Sequence, residues 1–454
     1  MHRVDVAIVG GGPAGSSAAM AAADEDADAL VIEKGVPRSD RDHLGPDSTD
    51  AAGMLDYWVD IMDFEPEEIP EEIILSDLDG AYFAGPSESA TVKATQIESS
   101  WDGFGFAFQR ARFDDWLREE AEAAGASYEV GTSVSDVESE RDGRSYTHRL
   151  TLAGGEEIEA DALVLADGPQ RTITMDAVDQ FMPSGRSVSS ILGPNTANHI
   201  AYQEHRKIPE ELFDPELIKF WWGVIPGHTA YPWIFPNDDN VGRVGLTMPI
   251  GMDIDAVSNR ESYELLRPED DRIPPGRVYL KRLLEWLYPD YDIEDFPLVE
   301  DRGKQKGTEA YPISSTRPIE SPTQANVAVV GGAMGATSAF HEGGDHVAVR
   351  TGKIAGRLAA NDNLQRYNPE WKDAIGDEII RNVSLADLAH DMEPADWDEV
   401  FRTVRRMVEF EGSRLRQAFR AGWSGMSLLG RYLWVRRSFR DEDYLQLRES
   451  EYTL

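Results

Sequence analysis

The 454-residue chain predicts an α/β fold: a Rossmann-type dinucleotide-binding domain, discontinuous in sequence, a second sheet-rich domain and a helical C-terminal region. Three observations carry this expectation. The apolar run Asp5–Val9 meets glycines at the spacing G-x-G-x-x-G and passes at once into a small-residue helix. The strand-to-glycine pattern returns late in the chain, at Ala325–Gly335. Between the two, residues 180–300 become rich in Trp, Tyr, Phe and Pro and largely lose the helical period.

In the first element Gly10 permits the sharp turn, Gly12 lets the backbone approach a pyrophosphate, and Gly15 lets the helix pack closely on the strand. Pro13 and Ala14 open that helix, whose N-terminal N–H groups and positive dipole end suit phosphates. The second strand, Ala29–Glu33, ends in an acid 23 residues after Gly10, close to the separation expected of a carboxylate holding a ribose hydroxyl. Strand, turn, helix, strand and acid in this order predict that a dinucleotide binds here.

Residues 34–50 read as a polar loop beside the cofactor, 51–64 as a helix and 66–72 as an acidic connector. Strand-like pieces at 72–75, 80–83 and 90–94 suggest a sheet segment outside the nucleotide fold. Phe113, Trp116, Leu117 and Ala121 recur at helical spacing in a helix ending at Gly125. A strand over 127–137 and a short meander at 149–152 and 157–160 precede the apolar strand Ala162–Leu165, which runs into the Asp167-Gly168 turn. Helical period reappears at 278–287, a helix over 345–360 follows the late glycine segment, and the chain from Asn361 onward reads as mainly helical. The expected division is nucleotide domain at 1–75, 103–178 and 311–360, second domain at 76–102 and 179–310, and helical region at 361–454.

Acidic residues number 83 against 44 Lys and Arg, a formal charge of −39 that excludes nucleic acid as a partner. The acids are spread along the chain, a pattern of adaptation to a high-salt cytoplasm rather than of one docking face. With no cysteine, disulfides, iron–sulfur ligation and thiolate catalysis are excluded, and no metal site is expected. The N-terminus enters a strand without a basic or cleavable segment, and no run of about 18 apolar residues occurs. The expectation is a cytoplasmic protein able to rest on the inner face of the membrane.

The turn at Gly10–Gly15, Arg110-x-x-Phe113-Asp114, Ala166-Asp167-Gly168 and the segment from Val330-Gly331 together resemble the FAD enzymes that include para-hydroxybenzoate hydroxylase. The resemblance implies a Rossmann-type FAD-binding domain. It places Gly10, Gly12, Pro13, Ala14, Gly15, Glu33 and Lys34 at the ADP half of FAD, and Arg110, Asp167 and Gly168 at further cofactor positions, with Arg110 on the flavin side. Gly331, Gly332, Gly335, Gly343 and Gly344 belong to the late segment approaching the ribityl chain and flavin ring.

The second domain carries Tyr231-Pro232-Trp233-Ile234-Phe235-Pro236 followed by Val241-Gly242-Arg243-Val244-Gly245, which resembles the Y-x-W-x-F-P … V-G-x-G signature of geranylgeranyl reductases. Tyr231, Trp233 and Phe235 alternate along a strand, so they project to one face and can wall an apolar slot. Burial of a long isoprenoid in such a slot is favourable by about 0.8 kcal/mol per methylene-sized group. The glycines let a neighbouring strand lie close. The resemblance continues through Leu364–Tyr367 and Trp371-Lys372 to about residue 404.

It implies hydride delivery from reduced flavin to an isoprenoid carbon–carbon double bond of a geranylgeranyl lipid or prenylated quinone, with NAD(P)H or a carrier such as ferredoxin as electron donor. Tyr231, Trp233, Phe235, His341 and Glu342 are the candidate catalytic residues, and Tyr231, His228, His341 and Glu342 the candidate proton donors. Three departures stand out. Gly332 replaces the aspartate of the usual G-D-A-A-G, the G-E-G-I turn becomes His341-Glu342-Gly343-Gly344-Asp345, and the loop His43–Ser48 lacks the cysteine of some archaeal relatives. The competing functions are an FAD-dependent monooxygenase or halogenase, and a non-catalytic lipid-binding protein with a degenerate flavin site. Finally, residues 402–440 concentrate arginine with Trp, Leu and Tyr, suited either to an anionic membrane surface or to pairing with acidic faces of the body.

Overall fold

A computed structural model describes residues 2–37, 52–143, 145–193, 197–303, 305–314, 316–408, 423–440 and 443–454. The loop His43–Ser48 and residues 409–422 of the arginine-rich segment lie outside the described residues, as do the side chains of 423–428.

Five parallel strands form the centre of the first sheet: β8 (Ser127–Val130), β2 (Ala29–Glu33), β1 (His2–Val9), β11 (Glu157–Leu165) and β17 (Val327–Val329). The antiparallel hairpin β9 (Val134–Asp142) and β10 (Ser145–Leu152) pairs with the first half of β11, while β17 pairs with its last three residues. Helix α1 (Pro13–Ala23) follows β1, and α8 (Asp345–Ala360) crosses it backbone to backbone. A Cβ on Gly352 would fall 2.1 Å from the Ala14 carbonyl oxygen, and one on Gly356 1.9 Å from that of Ala18. This crossing holds the late glycine segment against the first turn. Helices α3 (Arg110–Ala124), α4 (Thr172–Asp179) and α7 (Gly331–Met334) and the short α5 (Val188–Ile191) complete this half.

The second sheet runs β16 (Thr308–Ile313), β12 (His199–Lys207), β15 (Val241–Pro249), β14 (Tyr231–Pro236), β13 (Leu217–Trp221), β5 (Gly80–Ala84), β6 (Ser89–Val92). Its outer face packs Ile234, Val244 and Leu246 against Tyr279, Leu280, Leu283 and Leu284 of α6 (Gly276–Leu287). A three-stranded sheet joins β3 (Ala52–Leu55), β7 (Gly105–Phe108) and β4 (Ile74–Leu78), with α2 (Asp56–Met62) after β3. The long α9 (Tyr367–His390) buries Tyr367 and Trp371 in the nucleotide domain, and α10 (Pro394–Val408) sets Trp397 and Phe401 against aromatics of the second sheet. No helix among the described residues is long and apolar enough to cross a membrane.

Three sequence expectations change. The helix over 51–64 begins as β3, because Gly53 and Met54 pair with Ala107 and Phe106 of β7 before the chain turns helical at Asp56. The strand over 127–137 divides at Gly131, whose φ of +67° turns the chain out of β8 into β9. The last strand of the meander and the strand Ala162–Leu165 are one element, β11, whose two halves have different neighbours.

Candidate active site

The first turn is shaped by contacts that exclude side chains. A Cβ on Gly10 (φ +103°) would meet the Ala166 carbonyl oxygen at 2.4 Å, and one on Gly15 would lie 1.8 Å from the Gly10 carbonyl oxygen. Gly12 differs: its Cβ direction meets nothing within 4 Å, so the backbone is bare toward open space. No side chain caps the N-terminus of α1, which leaves its first amides directed at whatever fills that space. The adjoining cavity measures about 440 Å³ and is lined by Gly10, Gly11, Gly12, Glu33, Lys34, Arg110, Arg118, Tyr128, Asp167 and Gly168, among others. Glu33 is fixed by accepting from the N–H groups of Gly11 and Gly35, each at 2.6 Å, so its carboxylate faces the cavity in one orientation. Bare backbone, helix terminus and fixed acid fit a dinucleotide.

Arg110 lines the same cavity, but its guanidinium is tied to Asp114 at 2.7 Å and to Asp345, the first residue of α8, at 2.8 Å. Burial pushes the Asp114 carboxyl up to about 6 despite that partner. Asp167 also lines the cavity, yet its side chain accepts from the Ile173 and Thr174 N–H groups at 2.8 and 3.1 Å and so holds the start of α4. Pro13, Ala14 and Gly15 stand behind the cavity wall in α1.

The late glycine segment reaches the turn from the other side. Gly331 (φ +54°) approaches Ala14, with a would-be Cβ 2.9 Å from the Ala14 Cβ, and Gly332 faces the Gly168-Pro169 turn at 3.4–3.6 Å. The segment is tied down at Gly332 and Ala333 by Arg171, a fully buried residue the sequence reading missed. Its guanidinium donates to the carbonyls of Ala333 (2.9 Å) and Gly332 (3.1 Å) and to the Ser314 hydroxyl (2.7 Å). Gly335 (φ +86°) ends α7, and Gly343 and Gly344 lie farther along the loop, beside His341 and Thr337.

The second sheet turns an aromatic face to this loop. Tyr231, Trp233 and Phe235 form one row, with ring centroids 5.9 and 6.1 Å apart, joined by Trp222, Phe220 and Phe340 and closed by Trp397 and Phe401 of α10. Gly245 lies opposite Trp233, and a Cβ there would fall 2.3–2.5 Å from the indole, so this glycine makes room for the ring. The Tyr231 hydroxyl donates to the His341 carbonyl at 2.6 Å, anchoring the row to the late loop. His341 is half-buried, desolvation pulls its pKa down to about 3, and its Nδ1 accepts from the Gly343 N–H at 3.2 Å. Its ring stacks on Trp58, which stacks in turn on His346. Glu342 lies under the end of the aromatic row, fully buried, and accepts from the Thr247 hydroxyl. His228 sits at the surface instead, its ring 4.0 Å from His390.

Residues 5–168 match the sequence model of the family described as FAD dependent oxidoreductase. The cofactor is FAD, and the matched span contains the first turn, Glu33, Arg110 and Asp167. The chain is 26% identical over 450 residues to the digeranylgeranylglycerophospholipid reductase of Methanosarcina acetivorans, covering 96% of each chain. Its fold is similar to that of a geranylgeranyl bacteriochlorophyll reductase-like protein from Thermoplasma acidophilum, with a TM-score of 0.67, 20% identity and coverage of 97% and 99%. A flavin-dependent brominase shares the fold at a TM-score of 0.59 and 16% identity, with coverage of 97% and 99%.

Proposed function

We propose that this FAD-dependent oxidoreductase reduces isoprenoid carbon–carbon double bonds of a geranylgeranyl-type lipid. The observation that carries the reading is the row Tyr231–Trp233–Phe235, an apolar wall whose Tyr231 end is bonded to the loop that continues from the FAD-side glycines. Such a wall suits a chain of methyl-branched alkenes. Bound FAD, once reduced, supplies the hydride. The first turn and the α1 terminus would hold the pyrophosphate, Glu33 the ribose, and the Arg171-clamped segment Gly331–Gly335 the ribityl side. The aromatic row would align the alkene and keep water away. The test is anaerobic: reduce the bound flavin, add a geranylgeranyl lipid, and follow flavin absorbance and alkene content. Reoxidation with loss of alkene is expected, and a flavin that stays reduced would defeat the reading.

Gly332 gives a graded check of cofactor placement. A Cβ there meets its neighbours only at ordinary contact distances of 3.4–3.6 Å, so an aspartate fits. If this segment faces the ribityl hydroxyls, Gly332→Asp adds a charged hydrogen bond of about 1.5–3 kcal/mol and tightens FAD roughly tenfold to a hundredfold. Titration of the apoprotein with FAD measures this directly, and unchanged affinity would remove the segment from the ribityl chain.

The arginine-rich segment divides in two. Arg402 and Arg405 pair with Glu88, and Arg436 with Asp377, so these arginines hold helices to the body. On the helix Trp423–Ser438, however, Leu433 and Trp434 are 52% and 73% exposed, beside exposed Arg431 and Arg437. This face is proposed to rest on anionic lipid, which would place the enzyme where its substrate lies. Replacing both Leu433 and Trp434 by Ser is expected to weaken flotation with anionic vesicles several-fold while leaving neutral vesicles unbound. Undiminished flotation would remove this contact.

A further inference from the structure

Reduction of an alkene by hydride needs a proton for the second carbon, and the candidate donors are not equivalent. His341 is neutral at physiological pH and its Nδ1 is engaged as an acceptor from Gly343. His228 is at the surface. The Tyr231 hydroxyl is committed to the His341 carbonyl, and burial raises its pKa well above the ordinary value. Glu342 is different in each respect.

Its side chain is 2% exposed and its backbone is held at φ +60°, a left-handed conformation that glycine adopts without strain and glutamate does not. One carboxyl oxygen, Oε2, accepts from the Thr247 hydroxyl; the other, Oε1, has no hydrogen-bond partner among the described residues and lies 3.5 Å from His199 Nε2. Burial pushes the carboxyl up to about 8, so the group is an acid at neutral pH, with Oε1 the oxygen left to carry the proton. Thr247, which bonds the carboxyl, pairs directly with Tyr231 across β14 and β15, and this sets the carboxyl at the anchored end of the aromatic row.

Behind Glu342 the polar groups continue outward. His199 Nε2 is also 3.3 Å from the Thr229 hydroxyl, and His199 Nδ1 makes no hydrogen bond among the described residues. Burial, followed by the charge of nearby His228, pulls the His199 pKa down to about 4, so the ring is neutral. The rings of His228 and His390 then meet at the surface, tilted and 4.0 Å apart.

We propose that Glu342 is the proton donor of the reaction and that His199 returns the proton to it from the His228–His390 pair. The inference rests on the reductase reading above. In the step, the alkene π bond opens: one carbon takes the hydride that reduced FAD supplies, and the other forms a C–H bond with the proton leaving Glu342 Oε1. The alkene is reduced, the flavin is oxidised, and Glu342 is left as a carboxylate. Neutral His199 then gives its Nε2 proton to that carboxylate and takes one at Nδ1 from the surface side. The groups facing Glu342 are His199 from β12, Tyr231 from β14, Thr247 from β15, Thr229 before β14, and Tyr311 from β16, whose pKa Glu342 helps to raise. None is a cation at neutral pH, so the acid form is retained until about pH 8.

The first measurement is independent of turnover. Infrared difference spectra of the FAD-loaded protein should show a protonated-carboxyl carbonyl band that titrates away near pH 8 and is missing in Glu342→Gln. Its absence from the unsubstituted protein would overturn the proposal whatever the enzyme reduces. The second is anaerobic reoxidation of the reduced flavin by a geranylgeranyl lipid. The rate should fall above about pH 8 and drop roughly a hundredfold to ten-thousandfold in Glu342→Gln, while oxygen still reoxidises that variant's flavin normally. His199→Phe should keep the first turnover and slow the later ones, since only resupply is lost. A Glu342→Gln variant that consumes alkene at the full rate would overturn the donor, and a His199→Phe variant with unslowed later turnovers would overturn the route. If the unsubstituted enzyme consumes no alkene, it is the reductase reading that fails, and the infrared band still reports on the acid.

Discussion

Gly12→Ala is expected to fold as well as the unsubstituted protein and to lose FAD, whereas Gly15→Ala is expected to lose both FAD and stability. Gly12 has ordinary extended dihedrals (φ −74°, ψ −173°), which alanine adopts freely. Its added methyl would touch no protein atom within 4 Å, so the change in folding free energy should stay within about 0.5 kcal/mol. The methyl would instead occupy the space a phosphate must enter to reach the α1 amides. Each charge-assisted amide–phosphate bond lost costs about 1.5–3 kcal/mol, so affinity should fall by roughly a hundredfold or more. At Gly15 the methyl would stand 1.8 Å from the Gly10 carbonyl oxygen and 3.3 Å from the Ala166 side chain. Helix α1 must then lift from β1, at a cost of about 1–3 kcal/mol in overpacking alone. Thermal unfolding of the two apoproteins, with FAD titrations of each, separates the cases. A Gly12→Ala variant that keeps its yellow colour would mean the cofactor does not approach the turn as described.

The strand, turn and helix beside the cavity were legible because their parts are consecutive. Strand, three glycines, helix and Glu33 lie within β1, α1 and β2, and each local requirement appears as a residue type at a fixed offset. The aromatic row was legible for the same reason, since alternation along β14 decides its face. What Gly245 does was not, because its neighbour Trp233 is set by the antiparallel register of β14 and β15. His199, Thr229, Thr247 and Glu342 come from β12, β15 and two connecting segments, and only the sheet order brings them together. Asp167 is instructive in another way. The family resemblance implied its place beside the cavity, but its carboxylate is engaged by the N-terminal amides of α4, a short helix with no strong period to announce it. Likewise β3 was read as helix because four residues of strand give too short a period to compete with the helix that follows.

Arg171→Met should be among the most destabilising single substitutions in the nucleotide domain. No sequence feature marks this arginine, yet it is 0% exposed, and its three nitrogens join the Asp-Gly turn, the exit of β16 and the late glycine helix. Burial draws its pKa down to about 10, so it is a cation at neutral pH in spite of its surroundings. Methionine keeps most of the length and apolar contact but leaves the carbonyls of Gly332 and Ala333 and the Ser314 hydroxyl without their donor. At about 1–3 kcal/mol for each orphaned group, a loss of roughly 3 kcal/mol or more is expected. Arg171→Lys should recover only part of it, because a point ammonium cannot span acceptors arranged around a planar fork. The damage should also reach the cofactor, since these carbonyls position the segment that runs from beside the first turn to the loop of Glu342. Urea unfolding of the apoproteins gives the stability term, and FAD titration under native conditions gives the second. If Arg171→Met unfolds at the same urea concentration as the unsubstituted protein, the guanidinium is not what joins the three segments. If it loses stability but binds FAD unchanged, the late glycine segment does not depend on the clamp for its place at the cofactor.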